Sequence, residues 1–193
     1  MEIKYKNIVL RDYCESDIED EIRWMNVETA WMKADNPWEP IQPVCADELR
    51  EDMLNLMHDL PADAVRSRLE IDTSGNHIGF VCSYPLDENY EPIAFVEISP
   101  EKKIFRAIGI EICEPRYWCQ GLGTQALKAC VQYYLDNGST NLCLETWSGN
   151  IRMLKCAEKA GFVICKRDID VRLVNGTKYD AITLQLDLNK FQY

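Results

Sequence analysis

IGIEICEPRYWCQGLGTQALKACVQYYL, residues 108–135, reads as a strand, a glycine-bearing loop and a helix in immediate succession. The opening IGIEIC places β-branched residues at alternate positions, the pattern of a strand with one face buried. Pro115 has no N–H to give to a ladder, so the strand stops there. Gln120-Gly121-Leu122-Gly123-Thr124 then runs directly into a helix whose Leu122, Ala126, Leu127, Cys130 and Tyr134 share one face. Two glycines at a strand-to-helix junction have a chemical use. Lacking Cβ atoms, they let an anion come close to backbone N–H groups at a helix start, where the helix dipole favours negative charge.

Downstream, Asn137-Gly138 is a helix stop, residues 141–147 form a strand, and Ser148-Gly149-Asn150 is a turn that caps a short helix over 151–159. Ala160-Gly161-Phe162 ends that helix. Two closing strands, 162–174 and 178–188, are joined by the hairpin signal Asn175-Gly176-Thr177. Upstream, residues 3–11 read as one strand, and Glu15-Ser16-Asp17 caps a helix carrying Ile18, Ile22 and Met25. Residues 31–40 hold two prolines that break regular structure and two tryptophans, Trp31 and Trp38, which either pack on the core or wall a substrate. Asp47 caps a helix over 48–60. A hairpin pairs 68–72 with 77–82 about Ser74-Gly75-Asn76, leaving His77 solvated at its edge. A polar loop over 87–92 leads to strands over 93–99 and 104–113. The sum is an α/β (α+β) chain: one domain over 1–193, with a mixed, mostly antiparallel sheet flanked by about four helices.

Composition narrows the partners. The chain has 193 residues, enough to bury a substantial core, and 47% hydrophobic with 27% charged residues is ordinary for a globular protein. A net charge of −11 argues against nucleic acid, which demands a basic footprint, and favours a cationic partner such as an amine. Nine cysteines lie scattered without a CxxC pair, mostly within apolar segments, the usage of a reducing cytoplasm rather than of a disulfide framework. Neither His58 nor His77 has metal-like neighbours, so no metal is expected. No apolar run reaches the length of a bilayer span, and no membrane partner is expected.

The order strand, glycine loop, helix, strand, Ser-Gly-Asn, helix, Ala-Gly-Phe from residue 108 to residue 162 resembles the GNAT superfamily of acetyl-CoA-dependent N-acetyltransferases. Its ribosomal-protein N-terminal, polyamine and aminoglycoside branch is the most similar. Gly121 and Gly123 stand on the family's Gln/Arg-x-x-Gly-x-Gly/Ala signature, and Asn150 and Gly161-Phe162 on its later motif. The resemblance implies acetyl-CoA as donor. It implies that the backbone of Ile112, Cys113 and Glu114 runs beside the pantetheine arm. Gln120, Gly121, Leu122, Gly123 and Thr124 would cradle the diphosphate, with Cys119 next to that path and Asn150 bonding the arm's amides. Trp118 departs from the pattern, replacing the polar Gln/Arg.

The implied reaction is direct attack of a neutral amine of a small molecule or a peptide N-terminus on the thioester, in a ternary complex, which needs a base for the ammonium proton. Glu145 is the first candidate, because some members hold a catalytic glutamate at that position, with Glu111 and Glu97 as rivals on neighbouring strands. The family's tyrosine acid falls on Ala157, leaving Ser148, Cys156, Tyr117 or water. No histidine accompanies Cys113 or Cys119, so a covalent acyl-cysteine route is unsupported. Arg116, Lys128, Arg152, Lys155 and Lys159 are candidates to balance the cofactor phosphates. The alternative is a non-catalytic acyl-CoA-binding protein, and both monomer and homodimer stay open.

Overall fold

The computed structural model describes residues 1–58, 61, 64–94 and 103–193. Among these lie eight strands and five helices: β1 (Glu2–Tyr5), β2 (Ile8–Arg11), α1 (Asp17–Asn26), α2 (Met32–Asp35), α3 (Ala46–His58), β3 (Arg68–Thr73), β4 (Asn76–Leu86), β5 (Phe105–Ile112), α4 (Leu122–Asp136), β6 (Leu142–Trp147), α5 (Ile151–Lys159), β7 (Phe162–Val174) and β8 (Thr177–Leu186). The strands form one sheet in the order β1-β2-β3-β4-β5-β6-β8-β7, antiparallel at every step but one.

The exception positions everything that follows. β5 and β6 run parallel and pair only at Arg106–Leu142 and Ala107–Cys143. Beyond Ala107 the two strands separate, leaving a fork in the middle of the sheet. β5 keeps its other neighbour throughout, from Leu86–Phe105 to Gly79–Ile112.

Alternation along each strand sends residues to two different layers. Leu69, Ile71, Val81 and Ile108 face α4, whose Leu122, Ala126, Leu127, Cys130, Val131 and Tyr134 are all buried against them. Each large apolar side chain covered this way contributes roughly 1.5–3 kcal/mol. Tyr134 reaches the centre with its hydroxyl bonded to the Arg66 carbonyl (2.9 Å) and to Ser83 (2.8 Å), so that hydroxyl is satisfied.

The opposite face of β3 and β4 is polar, and α1 is fastened to it by charge. Arg11 binds Asp17 (2.6 Å) and Asp72 (2.7 Å), while Arg68 binds Glu21 (3.0 Å) and Glu70 (2.7 Å). His77 is not solvated as expected from its place beside a turn: its side chain is 6% exposed, bonded to Asp20 (3.1 Å) and Glu70 (3.0 Å). A register shift at Ile71/Asp72 delivers it there.

Several local expectations are corrected. Residues 3–11 are a hairpin of two strands, because Lys6 takes φ +51° and turns the chain. Ser16 offers no side-chain cap to α1, and Asp17 instead accepts from the Cys14 amide (2.8 Å). Asp47 lies inside α3, which begins one residue before it. Residues 31–40 contain a turn of helix, α2, that hydropathy did not mark. Leu60 and the strand expected over 93–99, Glu97 included, lie outside the described residues. Asn137-Gly138 and Asn175-Gly176 do what their sequences imply, with Gly138, Asn175 and Gly176 at positive φ.

Candidate active site

The loop from β5 to α4 begins with a single 3-10 turn over Pro115–Tyr117 and ends at Gly121, which takes φ +79° as the N-cap of α4. Among the described residues no side chain caps this helix, so its first amides are left unpaired, and nothing lies within 4 Å of where a Gly121 Cβ would be. Gly123 packs over Ile110 and Ile112. The helix start therefore sits directly above the fork.

A cavity of about 310 Å³ passes through the fork. On the α4 side it is lined by Gly121, Leu122, Gly123, Thr124, Asn150 and Cys156, with Arg152, Lys155 and Lys159 from α5 at the rim. On the other side it meets Glu111, Trp31 and Ala34. The arrangement suits an extended anion-headed molecule: a positive end at helix amides and lysines, an apolar throat along Ile110 and Ile112, and a carboxylate beyond. A wider hollow of about 1000 Å³ lies outside the loop, lined by Arg23, Lys33, Glu114 and Arg116 and sharing Ala34, Trp118 and Arg152 with the fork cavity. It lacks the bare helix amides, and the fork cavity is the better candidate.

Residues 7–163 match the sequence model of the acetyltransferase (GNAT) domain. The chain belongs to the GNAT family of acetyl-CoA-dependent N-acetyltransferases. Its fold is shared with a ribosomal L7/L12 α-N-protein acetyltransferase in complex with coenzyme A, at 16% identity, covering 98% of this chain and 99% of that one with a TM-score of 0.71. It is shared with a spermidine N-acetyltransferase from Vibrio cholerae in complex with CoA and spermine, at 17% identity, 95% and 97% coverage and a TM-score of 0.68. A microcin C7 self-immunity acetyltransferase in complex with acetyl-CoA and AMP gives 16% identity, 93% and 92% coverage and a TM-score of 0.66. No curated protein sequence matches the chain.

Glu97 apart, the structure describes every site residue that the sequence singled out. Asn150 accepts from the Met153 amide (3.1 Å) through Oδ1, capping α5, while its Nδ2 has no protein partner among the described residues and the residue lines the cavity. Thr124 donates to Cys156 Sγ (3.5 Å), and the Gln120 side chain turns back to the Arg116 carbonyl (2.6 Å), away from the cavity lining. Cys119 lines the cavity at a left-handed φ of +60°. Trp118 donates its indole N–H to the Ile112 carbonyl (2.6 Å), and the Cys113 amide donates to the Ile78 carbonyl (2.8 Å). Two backbone groups of the expected pantetheine track therefore already have partners in the chain. The Arg152 guanidinium lies 3.8 Å above the Trp118 ring, so the aromatic at this position holds a cation over the loop.

The Glu114 side chain, buried, accepts from Arg23 (2.7 Å) and Trp24 (3.1 Å) and tethers the loop to α1. Burial works against its charge, but these partners win and hold its carboxyl below the usual range. Burial raises the Cys113 thiol, which is a core group rather than a nucleophile. Lys128 is spent on the Gln192 carbonyl (2.6 Å), away from the rim.

The carboxylates divide in an informative way. Cys143, Glu145 and Trp147 of β6 share the sheet face of Glu111. Glu145 is exposed, accepts from the Tyr84 hydroxyl (2.8 Å) and does not line the cavity. Ser148 Oγ accepts from the Asp180 amide (3.0 Å), tied to β8. Glu111 opens onto the cavity, and its carboxyl is pushed well up, first by burial and then by the charge of Asp35. Asp35 is not singled out by the sequence, since it lies in a segment with no periodicity and only folding brings α2 against β6. Trp147 pins it there by donating to the Ala34 carbonyl (3.1 Å).

Proposed function

We propose that the chain moves an acetyl group from acetyl-CoA to a primary amine, of a small molecule or a peptide N-terminus, by direct attack in a ternary complex. The observation that carries this is the fork cavity, with bare α4 amides and Lys155 and Lys159 at one end and Glu111 at the other. The amides of Leu122, Gly123 and Thr124 would hold the diphosphate, and Asn150 Nδ2 would bond the arm's amide oxygen. Acetyl-CoA supplies the activated thioester.

Glu111 is the base this geometry favours over Glu145. It opens onto the cavity, and a raised carboxyl takes a proton from an ammonium more readily than an ordinary one. The acceptor nitrogen, freed of its proton by Glu111, bonds to the acetyl carbon as the carbon–sulfur bond breaks. The thiolate leaves and, relayed through water, takes the second proton that the acylated nitrogen gives up, which suits Ala157 at the family's tyrosine position. Glu145, with Tyr84, lies farther along the same face, where it would meet the body of the acceptor.

The test is thiol release from acetyl-CoA with alkylamines, spermidine, aminoglycosides and peptides, for the wild type, Glu111→Gln and Glu145→Gln. Turnover with at least one amine, lost in Glu111→Gln and largely kept in Glu145→Gln, is expected. Coenzyme A binding without release across the whole panel would overturn the acetyl-transfer reading in favour of a non-catalytic binder. Loss in Glu145→Gln with Glu111→Gln unimpaired would reverse the base assignment.

A further inference from the structure

A histidine with no part in the chemistry is buried beneath α1. The His77 ring sits between that helix and the sheet, with Asp20 at 3.1 Å and Asp17 at 3.4 Å from Nδ1 and Glu70 at 3.0 Å from Nε2. Both ring nitrogens thus face carboxylates, an arrangement met in full only by the charged imidazolium, in which both nitrogens donate. The arginines around it are already divided. Arg11 serves Asp17 and Asp72, Arg68 serves Glu21 and Glu70, and Arg23 serves Asp20, Glu28 and Glu114. Carboxylates outnumber arginines on this face, and a charge on His77 reduces the excess.

Two side-chain routes lead from His77 to one carboxylate. Along the first, Asp20 accepts from Arg23 (2.7 Å) and Arg23 donates to Glu114 (2.7 Å). Along the second, the Trp24 ring lies against the His77 ring, centroids 4.6 Å apart, and its indole N–H donates to the same Glu114 oxygen (3.1 Å). Glu114 stands where the loop to α4 begins. Its carbonyl accepts from the Tyr117 amide (3.0 Å) to start the turn over Pro115–Tyr117, and the loop ends at Gly121, the N-cap of α4. The entry of that loop is therefore held by α1, and His77 is one of the groups that seat α1 on the sheet.

We infer that His77 is a positioning residue for the cofactor loop: in its charged form it keeps Asp20 and Trp24 where Arg23 and Trp24 hold Glu114, so that coenzyme A binding and the charge on His77 favour one another. This goes beyond the acetyl-transfer reading but rests on it for the loop's ligand. When His77 loses its proton, Asp17, Asp20 and Glu70 face one another across a neutral ring. Asp20 is left to Arg23 alone and draws it from Glu114, while the repulsion pushes α1 away from β3 and β4. The loop then loses its hold at the first residue, and the α4 amides lose their set position. The charged groups that face His77 among the described residues are Asp17 and Asp20 of α1 and Glu70 of β3, with Arg11, Arg23 and Arg68 one contact behind them; Asp72, opposite His77 in register, is bound to Arg11. Burial opposes the charge on His77, and the carboxylates outweigh it. The coupling is reciprocal: the factor that the charge contributes to coenzyme A affinity is the factor by which bound cofactor favours the His77 proton.

The test uses the full chain and dephospho-coenzyme A, which keeps the diphosphate but lacks the 3′-phosphate, a group that would itself titrate in this range. The chain has two histidines, His58 and His77, so NMR follows two imidazoles from pH 6 to 10, and His58→Gln assigns them. Saturating ligand should raise the His77 midpoint by about half a pH unit, and affinity should fall about threefold as pH rises through that titration. In His77→Gln that fall should be absent. In Glu114→Gln, where a neutral amide meets Arg23 and Trp24, the ligand-induced rise should be less than half as large. Asp20→Asn cuts the first route at a partly exposed side chain and should also reduce the rise, which keeps the test decisive if Glu114→Gln does not fold. A His77 midpoint unmoved by ligand would overturn the positioning role. So would the full rise in Glu114→Gln or in Asp20→Asn, which would assign it to the cofactor's charge acting through space. Absence of any dephospho-coenzyme A binding to the wild type would instead remove the reading of the loop on which the role depends.

Discussion

Asn150 is expected to do two jobs with two different atoms, and substitution can separate them. Its Oδ1 accepts the Met153 amide at 3.1 Å from a residue with non-helical φ −83° and ψ 67°, the arrangement of an N-cap. Removing that acceptor in Asn150→Ala should cost about 1 kcal/mol, the ordinary value for such a cap. For a chain of this size that is a fall of about 2–4 °C in melting temperature. Its Nδ2 has no protein partner among the described residues, and in the proposed reading it donates to the cofactor arm. Loss of one such hydrogen bond is worth up to about 1.5 kcal/mol, or about tenfold in coenzyme A affinity. Asn150→Asp distinguishes the two roles. It keeps the cap oxygen and adds a charge that a helix start favours, so stability should stay within about 0.5 kcal/mol of wild type. It abolishes the donor, so affinity should still fall about tenfold. Urea denaturation and calorimetry with coenzyme A read the two quantities. Undiminished affinity in Asn150→Asp would refute the contact with the arm, and an unchanged stability in Asn150→Ala would refute the cap.

Three further outcomes follow from the same coordinates. Glu111→Gln should lower kcat by about 10²–10⁴ with coenzyme A affinity intact. Because burial and Asp35 raise Glu111, the wild-type rate should climb with pH through that raised value, and pH–rate profiles should show this limb missing in the variant. Burial lowers His77, but hydrogen bonds to Glu70 and Asp20 and the charge of Asp17 outweigh it, so its folded pKa lies above the unfolded one. The stability it confers is then complete below about pH 6.5 and is lost as pH rises through the folded value. Urea unfolding from pH 6 to 9 should show that decline, and His77→Gln should flatten it. Gly79→Ala should destabilise by on the order of 3 kcal/mol, since its φ is +154° and the new Cβ would stand 1.9 Å from the Glu111 carbonyl oxygen; a melting temperature equal to wild type would contradict that backbone path.

What the sequence made legible was chemistry written within a short span. The β5–loop–α4 unit was readable because β-branched alternation, Pro115, Gly121 and the apolar face of α4 all act between near neighbours. The same holds for the turn at Asn175-Gly176 and for the cap at Asn150. Errors arose where a distant partner decided the outcome. His77 looks solvated beside its turn, yet Asp17 and Asp20 arrive from α1 and Glu70 from the adjoining strand to bury it. Ser148 shows the same dependence without contradicting its reading, since β8 brings the Asp180 amide to its Oγ and leaves the hydroxyl proton to give.

That division also explains why the donor side of the site was more readable than the acceptor side. A diphosphate is recognised by amides that any backbone can present, provided glycine allows the approach, so its signature is a local spacing. Nothing in β5 alone distinguishes Glu111 from other acidic residues in a chain of net charge −11. Asp17, Glu21, Glu70 and Glu114 are each matched to an arginine by the fold, while Glu111 opens on the cavity with no ion pair among the described residues. That contrast, and not any local spacing, singles out Glu111, and it exists only once the strands are paired.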